Sequence, residues 1–351
     1  MKTKSPKLVR ISIVGLGNVG RGVAEVIRRK QEEITRKYGI NLKIVGVADL
    51  PGAVVDENGL SEDAIRKIKS GEMAKDMTTL DMIKDVEHEI MVETTPTNVE
   101  SGEPGLTHII TALESNRHVV TSNKGPLALQ YGKLMDLAAS RGKELKFEAS
   151  VGGAMPIISL VKDNLAGNGI ISIKGILNGT CNYILTRMRE ETLPYEHVLK
   201  EAQERGIAET DPSNDVFGRD TAVKLVILAN SIFDRDVSYK DVEVTGITEI
   251  TSEALKLADD AGYVIKLIGE VDGGGSSGEC LKVAPRLVPK DDPLNVGGTL
   301  NVATIKTDLA GDITVIGKGA GPIEAASAVL SDIIGIYSGT VRAGQGNLAV
   351  Y

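Results

Sequence analysis

The chain has 351 residues, enough for two domains, and its 42% apolar and 25% charged residues are the balance of an ordinary soluble globular protein. A formal net charge of -8 argues against a nucleic-acid or anionic-membrane partner, and 3% aromatic residues with no Trp call for an aliphatic core. Cys181 and Cys280 stand too far apart for a disulfide framework or a zinc site, and no stretch is long and apolar enough for a membrane span or signal peptide, so a cytoplasmic setting is expected.

Residues 8–14, bounded by Pro6 and Gly15, read as a buried strand. Residues 18–38 follow with Val19, Val23, Val26, Ile27 and Ile34 at helical spacing. A second strand covers 42–48 (LKIVGVA), and short helices are expected at 62–69 and 79–83. Strands at 89–93 (EIMVE), 118–121 (HVVT) and 145–148 alternate with helices at 106–114 and 126–141. Strictly alternating strands and helices predict an α/β, Rossmann-type doubly wound parallel sheet covered on both faces. Beyond about residue 150 the pattern changes to α+β. Helical stretches lie at 184–188, 195–205 and 220–233, and strands at 170–176, 264–271, 280–288, 300–307 and 313–316, pointing to a mostly antiparallel sheet. The low-complexity run GGGSSG at 273–278 reads as a hairpin loop, and 322–334 as a terminal helix rich in small residues.

Gly15-Leu16-Gly17-Asn18-Val19-Gly20 follows a strand and opens a helix, the context the dinucleotide fingerprint requires. The glycines allow a tight turn, close approach of a pyrophosphate, and packing of helix on strand, while helix N-terminal amides face the phosphates. The plainer reading is a structural strand-to-helix turn. Asp49 ends the second strand, where a carboxylate can accept from a ribose 2'-hydroxyl, which favours NAD over NADP. Arg21 is a nearby cation that can engage a phosphate instead.

The densest polar run is Glu209–Lys224, which leads into the apolar LVILANSIF. Asp220 and Lys224, at i and i+4, share a helix face. On spacing alone they are a solvated ion pair. Against that, Ala222, Val223, Leu225 and Val226 leave little of this turn to solvent. Lys124, in TSNKGPLAL, follows a strand end, where ligands of a doubly wound sheet lie. An exposed loop lysine is its bland alternative. A like charge and desolvation both favour an uncharged amine, and a neutral lysine is a competent base for an alcohol proton.

These residues resemble the homoserine dehydrogenase family over nearly the whole length. The matching segments are GLGNVG, TSNKGPLA, FEASVGGAMPII at 147–158, GILNGTCNYIL at 175–185, the acid-rich run at 201–225, and GKGAGP at 317–322. The resemblance implies NAD(P)-dependent interconversion of L-homoserine and L-aspartate 4-semialdehyde, within threonine, methionine and isoleucine biosynthesis. It makes Lys224 the acid-base lysine, Asp220 the carboxylate that positions it, and Lys124 the second active-site lysine. Glu209 and Asp215 would hold the substrate amino group, and Thr180 would line the substrate pocket. Thr95 and Pro96 would line the nicotinamide pocket together with Lys124. Gly319 and Gly321 would return the chain to the cofactor. The implied dinucleotide-binding domain is then discontinuous, 1–150 plus 317–351, with 151–316 as substrate-binding and dimerisation domain of a homodimer. A monovalent cation such as Na+ is implied at Glu148, Val151, Gly153 and Met155, mostly on main-chain carbonyls, although Ala154 and Met155 depart from the usual residues there. A buried turn is the alternative. The chain stops soon after its terminal helix, so no appended regulatory domain and no feedback inhibition through one are expected.

Two competing functions remain on the sequence. Aspartate-semialdehyde dehydrogenase would need a nucleophilic cysteine beside a histidine, and Cys181 has no histidine near it in sequence. A non-catalytic nucleotide sensor would leave the lysines and acids without a task. His88, His108, His118 and His197 are scattered and receive no role.

Overall fold

The computed structural model describes residues 5–50, 52–70, 77–273 and 280–342. Of the expected hairpin loop at 273–278, residues 274–278 lie outside the described residues. The chain divides into two compact units, Met1–Ser150 with Gly321–Tyr351, and Val151–Ala320.

The first unit runs β1 (Lys7–Val14), α1 (Asn18–Tyr38), β2 (Ile40–Asp49), β3 (Gly52–Val55), α2 (Glu62–Ser70), α3 (Thr79–Asp85), β4 (Ile90–Glu93), α4 (Gly105–Glu114), β5 (His118–Thr121), α5 (Lys124–Ser140) and β6 (Leu145–Lys146). The second unit adds β7 (Ile170–Ile176), α6 (Gly179–Glu191), α7 (Tyr195–Glu204), α8 (Ser213–Val216), α9 (Arg219–Ile232), β8 (Glu243–Val244), α10 (Ser252–Asp260), β9 (Tyr263–Asp272), β10 (Leu281–Pro289), β11 (Leu300–Thr307) and β12 (Asp312–Lys318). The chain then returns to the first unit with α11 (Pro322–Arg342). The return falls at Gly321 rather than 317, because β12 continues to Lys318.

The first sheet has the order β3-β2-β1-β4-β5-β6, parallel throughout except for the antiparallel edge strand β3. This is the expected doubly wound α/β sheet. Strand order reverses between β1 and β4, the crevice in which such sheets receive ligands. Val9, Ile11 and Ile13 of β1 point to one face, where they meet Val23 and Ile27 of α1 and Val329 and Ile333 of α11. In β2 the same face takes Ile40, Leu42, Ile44 and then Val47. A bulge accommodates that break in alternation, because Ile11 pairs with Ile44 but Ser12 with Gly46. Met82 of α3 lies over Gly46 on the opposite face.

His88, just before β4, is 1% exposed. Its Nδ1 donates to the Val86 carbonyl at 2.8 Å, and burial, helped by the Arg117 charge, lowers its pKa from the ordinary 6.5 to about 4. The unfolded chain therefore binds more protons than the folded one between those values. Stability is full above pH 6.5 and falls as pH drops toward 4, by about 3 kcal/mol in total. In His88→Phe the Val86 carbonyl keeps its bond from Arg117. Urea unfolding at pH 7 and pH 5 should show a smaller acid loss in that variant. Equal losses in both proteins would remove His88 as the cause.

The second sheet has the order β12-β11-β7-β9-β10-β8 and is antiparallel apart from the β10–β8 pair. Helices α6, α9 and α10 pack against it, over a core that includes Ile176, Val264, Ile268, Val288 and Val302. Three expectations need correction. The helix expected from 126 begins at Lys124, because the Asn123 side chain caps it by accepting from Gly125 N at 3.1 Å. The strand expected at 145–148 is only Leu145–Lys146, since Glu148–Ser150 turn into a 3-10 helix. Helix α6 extends well beyond 184–188, because Asn178 caps it by accepting from Cys181 N.

Candidate active site

In the first unit, the loop after β1 and the loop after β4 meet at the strand-order reversal. Gly15 has φ of 94°, and a Cβ there would lie 2.8 Å from the Thr94 carbonyl and Thr95 N. At Gly20 a Cβ would lie 1.9 Å from Gly15 O. Both glycines are required by the protein's own packing. Gly17 is different: a Cβ there meets no protein atom within 4 Å, and Gly17 begins α1 without a side-chain cap. Open space in front of helix amides is what a pyrophosphate needs, so the residues present fit a dinucleotide. Asn18 and Val19 form the first turn of α1. Arg21 is folded back onto Gly17 O at 3.3 Å and Asn18 Oδ1 at 3.0 Å. Asp49 ends β2, its carboxylate accepting from Leu50 N at 3.1 Å. Lys124 is the first residue of α5, beyond the end of β5. Thr95 and Pro96 follow β4 and are tied to Asn123, whose amide donates to Thr95 O and Oγ1, each at 3.3 Å. Gly321 opens α11 with φ of 132°. Gly319 belongs to the second unit, where a Cβ would run into the Asn301 amide at 1.8 Å.

In the second unit, the polar run folds into a compact cluster. Gly218, at φ of 79°, turns the chain from α8 into α9 and so sets Asp215 beside Asp220. Lys224 is 7% exposed, with Nζ 2.8 Å from Asp220 Oδ2 and 2.6 Å from the Leu177 carbonyl. This is the buried pair rather than the solvated one. Asn178 was not foreseen, yet it is the centre of the cluster. Its amide donates to Asp215 Oδ1 at 2.7 Å and Asp220 Oδ2 at 3.1 Å, while its Oδ1 accepts from Cys181 N at 2.9 Å. Burial raises the Asp215 carboxyl above its ordinary value and the Asp220 charge adds to this, whereas Asn178, Lys224 and Thr180 pull it back. Thr180 also donates to the Ile207 carbonyl at 3.1 Å. Glu209 is exposed, and its carbonyl accepts from Gln203.

Matches to family models cover almost the whole chain, with residues 15–148 matching the NAD-binding domain of homoserine dehydrogenase and 156–334 matching homoserine dehydrogenase itself. The chain belongs to the homoserine dehydrogenase family. It is 52% identical over 340 residues to a homoserine dehydrogenase of Methanocaldococcus jannaschii, covering 95% of this chain and 99% of that protein. It is 37% identical to an NAD(+)-dependent homoserine dehydrogenase of Pseudomonas canavaninivorans, covering 95% and 97%. A crystal structure of a homoserine dehydrogenase from Thiobacillus denitrificans superposes with a TM-score of 0.85 at 33% identity, covering 96% of this chain and 74% of that one. The family's activity, NAD(P)-dependent oxidoreduction of homoserine, is accordingly the activity of this chain.

Cys181 is fully buried, its thiol donates to the Asp215 carbonyl at 3.1 Å, and burial pushes its pKa up. It is a packed thiol and not the nucleophile that the aspartate-semialdehyde dehydrogenase reading required. Of the residues expected to hold a cation, Glu148 is buried in the first unit, with its N–H donating to Asp332 at 2.9 Å. Val151, Gly153 and Met155 lie in a tight turn of the second unit, with Gly153 at φ of 59°. Among the described residues no helix is long and apolar enough to cross a membrane.

Proposed function

We propose that Lys224 is the acid-base group that interconverts L-homoserine and L-aspartate 4-semialdehyde, held in place by Asp220 and Asn178. The observation that carries this reading is a buried lysine whose Nζ is fixed by one carboxylate and one carbonyl at the head of α9. When bound, the nicotinamide dinucleotide supplies the hydride acceptor for oxidation and the hydride donor for reduction. In the oxidative direction Lys224 Nζ, unprotonated, takes the hydroxyl proton of homoserine. In the reductive direction its ammonium returns that proton to the alkoxide oxygen. Asp215 and Glu209 provide the negative charge for the substrate's amino group, and Thr180 the adjoining wall. Lys124, Thr95 and Pro96 line the nicotinamide end of the cofactor site; Gly15, Gly17, Asn18, Val19 and Gly20 line its pyrophosphate end. Gly319 and Gly321 flank it.

The cofactor preference assigned to this chain is NAD. Asp49 can accept from a ribose 2'-hydroxyl, and its charge repels a 2'-phosphate. The cation nearest the fingerprint, Arg21, is already bonded to Gly17 and Asn18. Steady-state oxidation of L-homoserine with NAD and NADP side by side should give a kcat/KM at least about tenfold higher with NAD, and Asp49→Ser should narrow the gap. Equal efficiencies would reject the role of Asp49.

The same reading carries a Na+-class cation on the hard oxygens of Glu148, Val151, Gly153 and Met155, a cytoplasmic setting, and a homodimer. Ile171 and Ile316, 44% and 54% exposed on the second sheet, support an interface there.

A further inference from the structure

We propose that Glu93 is a positioning residue, one that fixes the Thr95–Pro96 loop and the N-terminus of α5 through a closed ring of hydrogen bonds. The proposal rests on the assignment of Thr95, Pro96 and Lys124 given above. Glu93 ends β4 and is fully buried. The rest of that strand, Ile90, Met91 and Val92, is apolar and equally buried, so the core itself asks for no carboxylate. A carboxylate in the core is costly unless donors surround it. Here Thr95 N donates to it at 3.0 Å, the Thr95 hydroxyl donates as well, and the Thr121 hydroxyl lies 3.2 Å from the carboxylate and 3.1 Å from the Glu93 carbonyl, its proton shared between them. His108, also buried, brings Nδ1 to 3.8 Å. Thr95 is thus held by both main chain and side chain. Asn123 Nδ2 then donates to Thr95 O and Oγ1, and Asn123 N donates to Thr121 Oγ1 at 3.0 Å, which closes the ring. The remaining oxygen of Asn123 caps α5, whose first residue is Lys124. The amide packs closely against Gly105, where a Cβ would come within 2.6 Å of its nitrogen. The carboxylate therefore orders the two segments assigned to the nicotinamide end.

The chain has no Trp, so NADH emission reports binding without indole interference. Glu93→Ala should weaken NADH about tenfold and lower kcat about a hundredfold, the scale of a misplacement near 1 Å. Glu93→Gln, which still accepts from Thr95, should recover most of the affinity. Asn123→Ala should repeat the loss, and the double variant should be no worse than the more damaging single one. A purely structural role predicts lower melting temperatures with unchanged NADH affinity in the folded protein. That result, or additive losses in the cycle, overturns the proposal. Should Glu93→Ala not fold, the cycle between Thr121→Val and Asn123→Ala tests the same ring, with additivity again rejecting it. Wild-type turnover and NADH affinity in Lys124→Ala would instead reject the underlying assignment, whatever Glu93 does.

Discussion

Lys224→Met should bind NADH normally and oxidise L-homoserine roughly a thousandfold more slowly, the scale of losing a positioned acid-base group. Methionine keeps the apolar stem that packs within α9 and deletes only the nitrogen. The structure also predicts a stability cost. Asp220 loses the cation 2.8 Å away and keeps the Asn178 bond, beside a second acid, Asp215. Removing one member of a buried pair costs about 3 kcal/mol, somewhat less here because the Asp220 side chain is partly exposed. That is survivable for a domain of ordinary stability. NADH affinity serves as the control, because the fingerprint lies in the other unit. Near-normal turnover in a folded Lys224→Met protein would eliminate this lysine as the base.

The second large effect separates two glycines of one motif. Gly20→Ala places a methyl group 1.9 Å from Gly15 O and 2.8 Å from the Thr94 hydroxyl. The backbone of the first must move, at about 3 kcal/mol or more, and the melting temperature of the first unit should fall by roughly 8–10 °C. Gly17→Ala meets no protein atom within 4 Å, so it should leave stability within about 1 kcal/mol of the parent. Its methyl group stands where the pyrophosphate would approach, and NADH affinity should drop at least about tenfold. Thermal melts and NADH titrations of the two variants give opposite patterns. An unchanged affinity in Gly17→Ala would mean that the open space before α1 is not the phosphate site.

The first unit was legible because its strands are apolar on both faces and its helices alternate with them; LKIVGVA could hardly be anything but a buried strand. What was missed there is short or edge-placed, as with β3, whose four residues carry little pattern. Helix α10 did carry a signal. Thr251 accepts from Ala254 N, and Leu255 and Ala258 are buried at the expected spacing. In the site, Lys224 and Asp220 share a helix and could be paired by counting. Asn178 could be read as a helix cap from the asparagine before Gly179, but its bridge to Asp215 and Asp220 is made by tertiary structure alone. Glu93 reads as a strand end, and its burial depends on the β4–β5 register. Lys266, inside the strand expected at 264–271, is 2% exposed and donates to Asn182, Thr186 and the Val296 carbonyl. Burial lowers its pKa to about 8. No local pattern distinguishes such a lysine from an exposed one.

Helix α11 gives Ala326, Val329, Leu330, Ile333 and Tyr337 to the core that β1 and α1 begin. On the ribosome those partners emerge roughly three hundred residues apart. The Val151–Ala320 unit is contiguous and can finish folding while the nascent first sheet still lacks its cover. Nascent chains stalled ahead of Pro322 should therefore be the ones that chaperones grip.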